Sequence, residues 1–353
     1  MDLRISEKLR MPFTRVPVLG FGMAALSALL LGLAPAAAQE FYRGKQITLL
    51  ISSGVGGGYD TYARALARHL SRHIPGNPTI VPKNMPGAGG VIATSTLYNN
   101  APKDGLTIAA LSNGVAMDPL FGLSANRFDA LKLNWLGSIG KLENICVTWH
   151  SNPVKTIEQA RGREILVAAA GATSNTGTMP RIVNELLGTR FKVVGGYPEG
   201  SGTTLALENG EVGGVCGISY STLQAMRPTW LRDKRLNVLL QIGLNRIAAL
   251  PNVPNAYDLV TDPEAKKVLE LILVRQEIGR PFAAPPGVPA DRVAILRTAF
   301  AGTLKDPAFL VEAKKLQLEV DPLTGEDIQV LLRTAYAAPK PVVARAARLV
   351  TGR

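Results

Sequence analysis

The chain has 353 residues and a formal charge of +12, from 39 Lys and Arg against 27 Asp and Glu, with three histidines and two cysteines. That length suits two domains of about 150 residues, and the basic balance leaves nucleic acid, a membrane surface or a small anion as electrostatic partners. The sequence has no basic-aromatic ribonucleoprotein motif, no zinc-finger spacing and no CxxC, which argues against nucleic acid, a zinc knuckle and thioredoxin-type chemistry.

In chain order, the first element is a leader. Arg4, Lys8, Arg10 and Arg15 precede the apolar "VPVLGFGMAALSALLLGLAPA", and the alanines at 36–38 supply a small-residue cleavage site. The reading is a signal peptide over 1–38, cleaved before Gln39, rather than an uncleaved anchor. Cleavage removes four basic and two acidic side chains, leaving about 315 residues with a formal charge of +10. Export into the periplasm excludes nucleic acid as a partner. No later stretch of sequence is long and apolar enough to span a bilayer.

The mature chain then alternates strand-like and helix-like segments. "QITLLIS" predicts a strand, and Tyr62, Ala63, Leu66, Ala67 and Leu70 follow at helical spacing. "NPTIVPKN" is a second strand, "PGAGGVIATSTLYNNAP" a glycine turn opening a helix, and "GLTIAALS" a third strand. After about residue 143 a second set begins. "NICVTW", "EILVAAAG", "FKVVGGY", "VGGVCGIS" and "LNVLLQIG" predict strands, with helices from "ATSNTGTMPRIVNELLG" and "PEGSGTTLALENG". Further on come a strand at "RPFAA", a helix starting near Pro289 and a helix opened by Asp306-Pro307. The repeated strand, glycine turn and helix predict an α/β fold of parallel, doubly wound sheets in two lobes. Ligands of such sheets bind beyond the carboxyl ends of the strands, where the glycine turns lie.

Four such turns precede helices, at 54–60, 86–90, 172–178 and 199–203. A helix start offers unpaired N–H groups and a positive partial charge, and glycine lets the backbone approach a ligand. Four of them, two from each set, predict a clamp on a small anion that requires no arginine. A nucleotide fits less well. Tyr59 stands where GxGxxG needs its third glycine, the second turn fails at the same place, and no Walker motif is present.

Catalytic signatures are weak. His69 and His73 have the i, i+4 spacing of a metal pair, but Arg64, Arg68 and Arg72 share that helix, so a solvated basic face is expected and no metal. Ser201 in "EGSGT" misses a nucleophile elbow because Glu199 replaces its glycine. Cys146 and Cys216 sit in apolar runs and read either as buried free thiols or as one disulfide of an oxidising compartment.

At these residues the sequence resembles the substrate-binding receptors of tripartite tricarboxylate transporters, the Bug-type periplasmic solute-binding proteins. "FYRGKQITLLIS" matches the family's opening strand, "GVGGGYDTYARALARHL" its first binding loop and "NMPGAGG" its second. "APKDGLTI", "LENGEVGGVCG" and "FAAPPGVPADRVAIL" match later signatures. Departures occur at Ser52-Ser53, Tyr59, Pro198-Glu199 and Gly213. The resemblance implies a two-lobe, type II-like periplasmic-binding-protein fold, each lobe a doubly wound sheet flanked by helices. Lobe one would hold 41–142 plus 243–353 and lobe two 143–242. It implies a monomeric receptor that captures a small organic carboxylate and delivers it to the membrane subunits of a tripartite transporter, without catalysis or cofactor. By position it carries ligand binding to Ser53, Gly57, Tyr59, Asp60, Gly87, Ala88, Gly89 and Gly90, and to Thr173, Ser174, Asn175 and Gly200 of the second lobe. Asp60 is expected to support its loop ahead of touching ligand. If "NICVTW" and "VGGVCGIS" neighbour each other as in related receptors, the two cysteines lie close, with free thiols expected ahead of a bond. The competing readings are a secreted hydrolase-like α/β enzyme and a receptor that feeds a sensor.

Overall fold

The computed structural model describes residues 40–123, 127–198 and 200–352. The expected leader and Glu199 lie outside them. In the first part of the chain β1 (Gln46–Ile51) leads to α1 (Gly58–Leu70), β2 (Thr79–Asn84), α2 (Val91–Asn99), β3 (Thr107–Ala110) and β4 (Asn134–Ser138). The chain crosses to β5 (Asn144–Trp149), α3 (Ile157–Gly162), β6 (Ile165–Ala168), α4 (Asn175–Leu187) and β7 (Phe191–Val194). It continues through α5 (Ser201–Glu208), β8 (Gly214–Ser219), α6 (Tyr220–Met226) and β9 (Leu236–Ile242). Two helices, α7 (Ala256–Leu259) and α8 (Pro263–Ile278), lead back to β10 (Pro281–Ala284). The chain ends with α9 (Ala290–Lys305), α10 (Pro307–Lys315), β11 (Leu323–Thr324), α11 (Gly325–Tyr336) and α12 (Lys340–Thr351).

The strands form two sheets, ordered β11-β4-β10-β3-β1-β2 and β7-β6-β8-β5-β9. Pairs β1–β2, β1–β3, β6–β7 and β6–β8 are parallel, as the strand-turn-helix pattern predicts. The sheets are not parallel throughout, which corrects that expectation. β10 runs antiparallel to β3 and β4, and β5 runs antiparallel to β8 and β9. β5 and β10 are the strands that enter a sheet from the other half of the molecule. No short crossover helix forces them into parallel alignment.

Apolar side chains build three cores. One lies between β1, α1, α9 and α10, around Leu49, Leu66, Phe300 and Phe309. Another covers one face of the second sheet, around Val215 and Trp230. The largest joins the two halves, with Leu269, Ile272 and Leu273 of α8 among Leu111, Trp135, Met179 and Ile182. The last helix, α12, packs on α8 and on α4, the helix after β6. Among the described residues no helix is long and apolar enough to cross a membrane.

Two local expectations change. The β5–β8 register pairs Cys146 with Cys216, and their sulfurs are joined, so a disulfide replaces the free thiols. The basic stretch formed by the end of α1 and the 3-10 turn at Ser71–His73 is not simply solvated. His69 Nε2 lies 2.5 Å from Glu312, which Arg68 also engages, while Arg72 and His73 bind Asp306 at 2.6 and 2.8 Å. The His73 bond comes first in holding the Asp306 carboxyl well below its usual range. These residues dock α1 on α10.

Candidate ligand-binding site

The turns after β1, β6, β7 and β8 converge on one cavity of about 50 Å³, space for a few water molecules or a small ligand. The first half contributes Ser53, Gly57, Gly58, Tyr59 and Leu142. The second contributes Asn175, Thr176, Gly200, Thr203, Ser219 and Thr222, with Gly217 and Ile218. Among the described residues no acidic side chain lines it. Helices α1 and α5 both begin here, with Gly57 and Gly200 as N-caps and no side chain capping either. Unpaired N–H groups at a helix start favour an anion.

Of the twelve residues expected to bind ligand, five line this cavity: Ser53, Gly57, Tyr59, Asn175 and Gly200. Asp60 is turned away from it. One carboxylate oxygen accepts Gly56 N–H at 2.9 Å, and the other accepts Arg64 and Asn84, each at 2.8 Å. Asn84 also donates to the Ser53 carbonyl at 2.9 Å. The aspartate therefore ties the first turn to β2. Ser174 caps α4, accepting Gly177 N–H and donating to the Gly171 carbonyl. Residues 87–90 form a separate contact. All four have positive φ (137°, 47°, 63° and 97°), and Ala88 does so with a side chain. A Cβ on Gly89 would lie 2.8 Å from Thr173 Oγ1, so this turn meets the second half outside the cavity.

The two halves approach closely beside the cavity. The Gly57 Cα lies 3.9 Å from where a Cβ on Gly200 would sit, and a Cβ on Gly58 would come within 2.4 Å of Thr222 Oγ1. Tyr59 spans to the crossing segment, its hydroxyl accepting Asn113 N–H at 3.0 Å and reaching the Gly279 carbonyl at 3.4 Å.

Sequence reasoning missed two arginines behind this wall. Arg275, on α8, is 1 % exposed. Its Nη2 donates to Asn175 Oδ1 and, at 2.9 Å, to Thr178 Oγ1, while Nε and Nη1 have no hydrogen-bond partner. Burial pulls its guanidinium below the ordinary value, and the Asp118 charge opposes that. Arg280 is 2 % exposed and stacks over Tyr62 at 3.9 Å. It donates to the Lys141 carbonyl at 2.7 Å and shares Nη2 among Ser221 (2.9 Å), Ser219 and Thr222 (both 3.4 Å). Neither arginine belongs to an ion pair among the described residues. The available signal was a pair of charges in the otherwise apolar "LILVRQEIGRPF".

A two-lobed α/β cleft with uncapped helix starts facing a small cavity defines a solute-binding protein of the periplasmic type. Residues 62–345 match the tripartite tricarboxylate transporter family receptor (TctC), and the chain belongs to that family. It is 28% identical over 307 residues to a UPF0065 protein of Cupriavidus necator, covering 84% of this chain and 86% of that one. A UPF0065 protein of Bordetella bronchiseptica is 24% identical over 289 residues, covering 80% of each. The fold matches the periplasmic binding protein BugD with a TM-score of 0.68 at 20% identity, over 87% of this chain and 97% of that one. MatC of Rhodopseudomonas palustris, with bound malate, matches with a TM-score of 0.65 at 19% identity, over 87% and 99%. Rpa4515 of R. palustris, with adipate, matches with 0.64 at 20%, over 86% and 97%.

Proposed function

We propose that this receptor captures a small organic carboxylate between its lobes and delivers it to the membrane subunits of a tripartite transporter, without catalysing a reaction and without a cofactor. The carrying observation is a cavity walled by the uncapped starts of α1 and α5, with no acidic side chain among the described residues that line it. The malate and adipate of the two structural neighbours are consistent with that chemistry. In this proposal the chain is exported, its leader is cleaved before Gln39, and it works in the periplasm as a monomer. Residues 41–142 plus 243–353 close on 143–242 about the crossing segments. Ser53, Gly57, Tyr59, Asn175 and Gly200 touch the ligand, and Asp60 holds the first turn. Gly87, Ala88, Gly89 and Gly90 close the rim against Thr173 and Ser174.

A thermal-shift panel of acetate, succinate, malate, adipate, citrate, phosphonates and neutral sugars tests this. A carboxylate at a hundred times its Kd should add about 2.7 kcal/mol of stability. Stabilisation by a sugar alone would overturn the reading, and turnover of any panel member would return the hydrolase alternative.

A further inference from the structure

Two buried arginines without a carboxylate partner are costly, and each spends a donor on a side chain that lines the cavity. The chemistry of those bonds decides what the wall presents. Asn175 accepts from Arg275 through Oδ1, so its amide oxygen is occupied and pinned on the arginine side. Its Nδ2 faces only a long contact, 3.5 Å, to Asn113 Oδ1 and keeps a hydrogen for the cavity. Ser219 Oγ accepts Thr222 N–H at 3.3 Å as the cap of α6 and also lies within reach of Arg280. It also shares a hydrogen bond of 3.2 Å with Ser221 Oγ, which itself accepts from Arg280 at 2.9 Å; with Ser221 as the donor in that pair, the acceptor positions of Ser219 are taken and its proton is left for the cavity. Thr222 Oγ1 is likewise approached by Arg280 at 3.4 Å. The first half adds the backbone at Gly57 and Gly58. The two arginines thus fill acceptor sites from behind and leave donors in front.

We propose that Arg275 and Arg280 are the specificity-determining residues of this receptor: by occupying the acceptors of Asn175, Ser219 and Thr222 they leave a donor-rich face on the second-half wall that selects an ionised carboxylate over its neutral amide. The inference rests on the carboxylate reading above and names the residues that enforce it. An amide NH₂ brought to such a wall meets donor against donor, a mismatch that hydrogen-bonding sites reject by large factors. Nε and Nη1 of Arg275 have no hydrogen-bond partner, and its positive charge, balanced in part by Asp118, lies behind the same wall.

Calorimetry should compare acetate, succinate, malate, adipate and citrate with their amides on the mature protein and on Arg275→Gln, Arg280→Gln, Arg280→Lys and Asn175→Asp. Wild type should prefer its best carboxylate over the matching amide by at least about a hundredfold. The Gln variants should shrink that ratio at least about tenfold, and Arg280→Lys should shrink it less. A merely structural role would weaken both ligands alike and leave the ratio unchanged, which would overturn the inference while the receptor reading stands. Asn175→Asp guards against unfolded variants. It preserves shape, places a carboxylate against Arg275, and should hold or raise the melting temperature of the ligand-free protein while abolishing carboxylate binding. A lowered melting temperature, or carboxylate affinity equal to wild type, would overturn the inference. If no panel member binds wild type, the carboxylate reading fails and this inference with it.

Discussion

The turn at 54–58 stops with its backbone against the cavity, held from behind by Asp60 and Asn84. The turn at 87–90 coils through four consecutive positive-φ residues and stops against Thr173. Both are glycine-rich and both open a helix, yet only the first lines the cavity. Composition marks where the backbone comes close to something; whether that is ligand space or the opposite lobe depends on the neighbour. The floors differ too. Beneath the second turn Ser112 meets Gly90, and the same segment carries Asp118, buried to 3 % exposure with one oxygen unpartnered.

That floor supplies the largest expected effect. Burial raises the Asp118 carboxyl from 3.8 to about 6, with the Arg275 charge only partly opposing it. A carboxyl raised in the folded state favours the native form most at low pH. Its contribution is complete below about 4 and lost as pH rises through about 6, on the order of 3 kcal/mol in all. Asp118→Asn should flatten the pH dependence of unfolding free energy in that window, and an unchanged slope would place no titrating group under the second turn. Gly58→Ala comes next. Its Cβ would meet Thr222 Oγ1 at 2.4 Å, Cγ2 at 3.0 Å and Cβ at 3.3 Å, so rotating Thr222 relieves little. Alanine suits a helix better than glycine by up to about 1 kcal/mol. Separation of the two halves removes that clash, so stability should hold or rise while ligand affinity falls about a hundredfold, some 2.7 kcal/mol. Retained affinity in titration calorimetry would show that the first turn does not need the close approach.

Asp60→Asn loosens the first turn without touching the cavity. Chemical denaturation should show a loss of about 1–2 kcal/mol, with every ligand weakened alike. A changed order of preference among ligands would put Asp60 at the ligand and erase the distinction between lining and support. The smallest change is Gly89→Ala. At φ +63° it should cost about 1–2 kcal/mol of stability. Its new contact is the end of the Thr173 side chain, which can turn away, so affinity should move less than about threefold. Lost binding at unchanged stability would make the two turns equivalent after all.

Much of the framework was readable because local pattern and tertiary role coincide. β1, β2 and β3 and their helices follow alternation, glycine turns and 3.6-residue spacing. Strand direction at β5 and β10 was not readable, since it depends on which way the chain re-enters a sheet from the other half. The helix α8 was missed although Asp262 caps it ahead of Pro263, the same signal that revealed α10 at Asp306-Pro307. With α8 went Arg275, whose partners Asn175 and Thr178 lie about a hundred residues away. Within the site, the sequence identified turns but not their facing. Ser174 is spent on local bonds that only the folded geometry displays, whereas the loop bonds of Asp60 agree with the expectation from sequence.

The close approach of the two halves at the cavity also has a kinetic meaning. Gly58 lies against Thr222 and Gly57 near Gly200, so the two halves approach closely beside the ligand space. In a receptor that exchanges solute by separating these halves, residence time is set by the opening rate rather than by the strength of any one contact. Tight binding and rapid release are then not opposed properties of the same bonds. A partner that wedges the lobes apart could empty the receptor quickly while the closed form keeps its grip on solute.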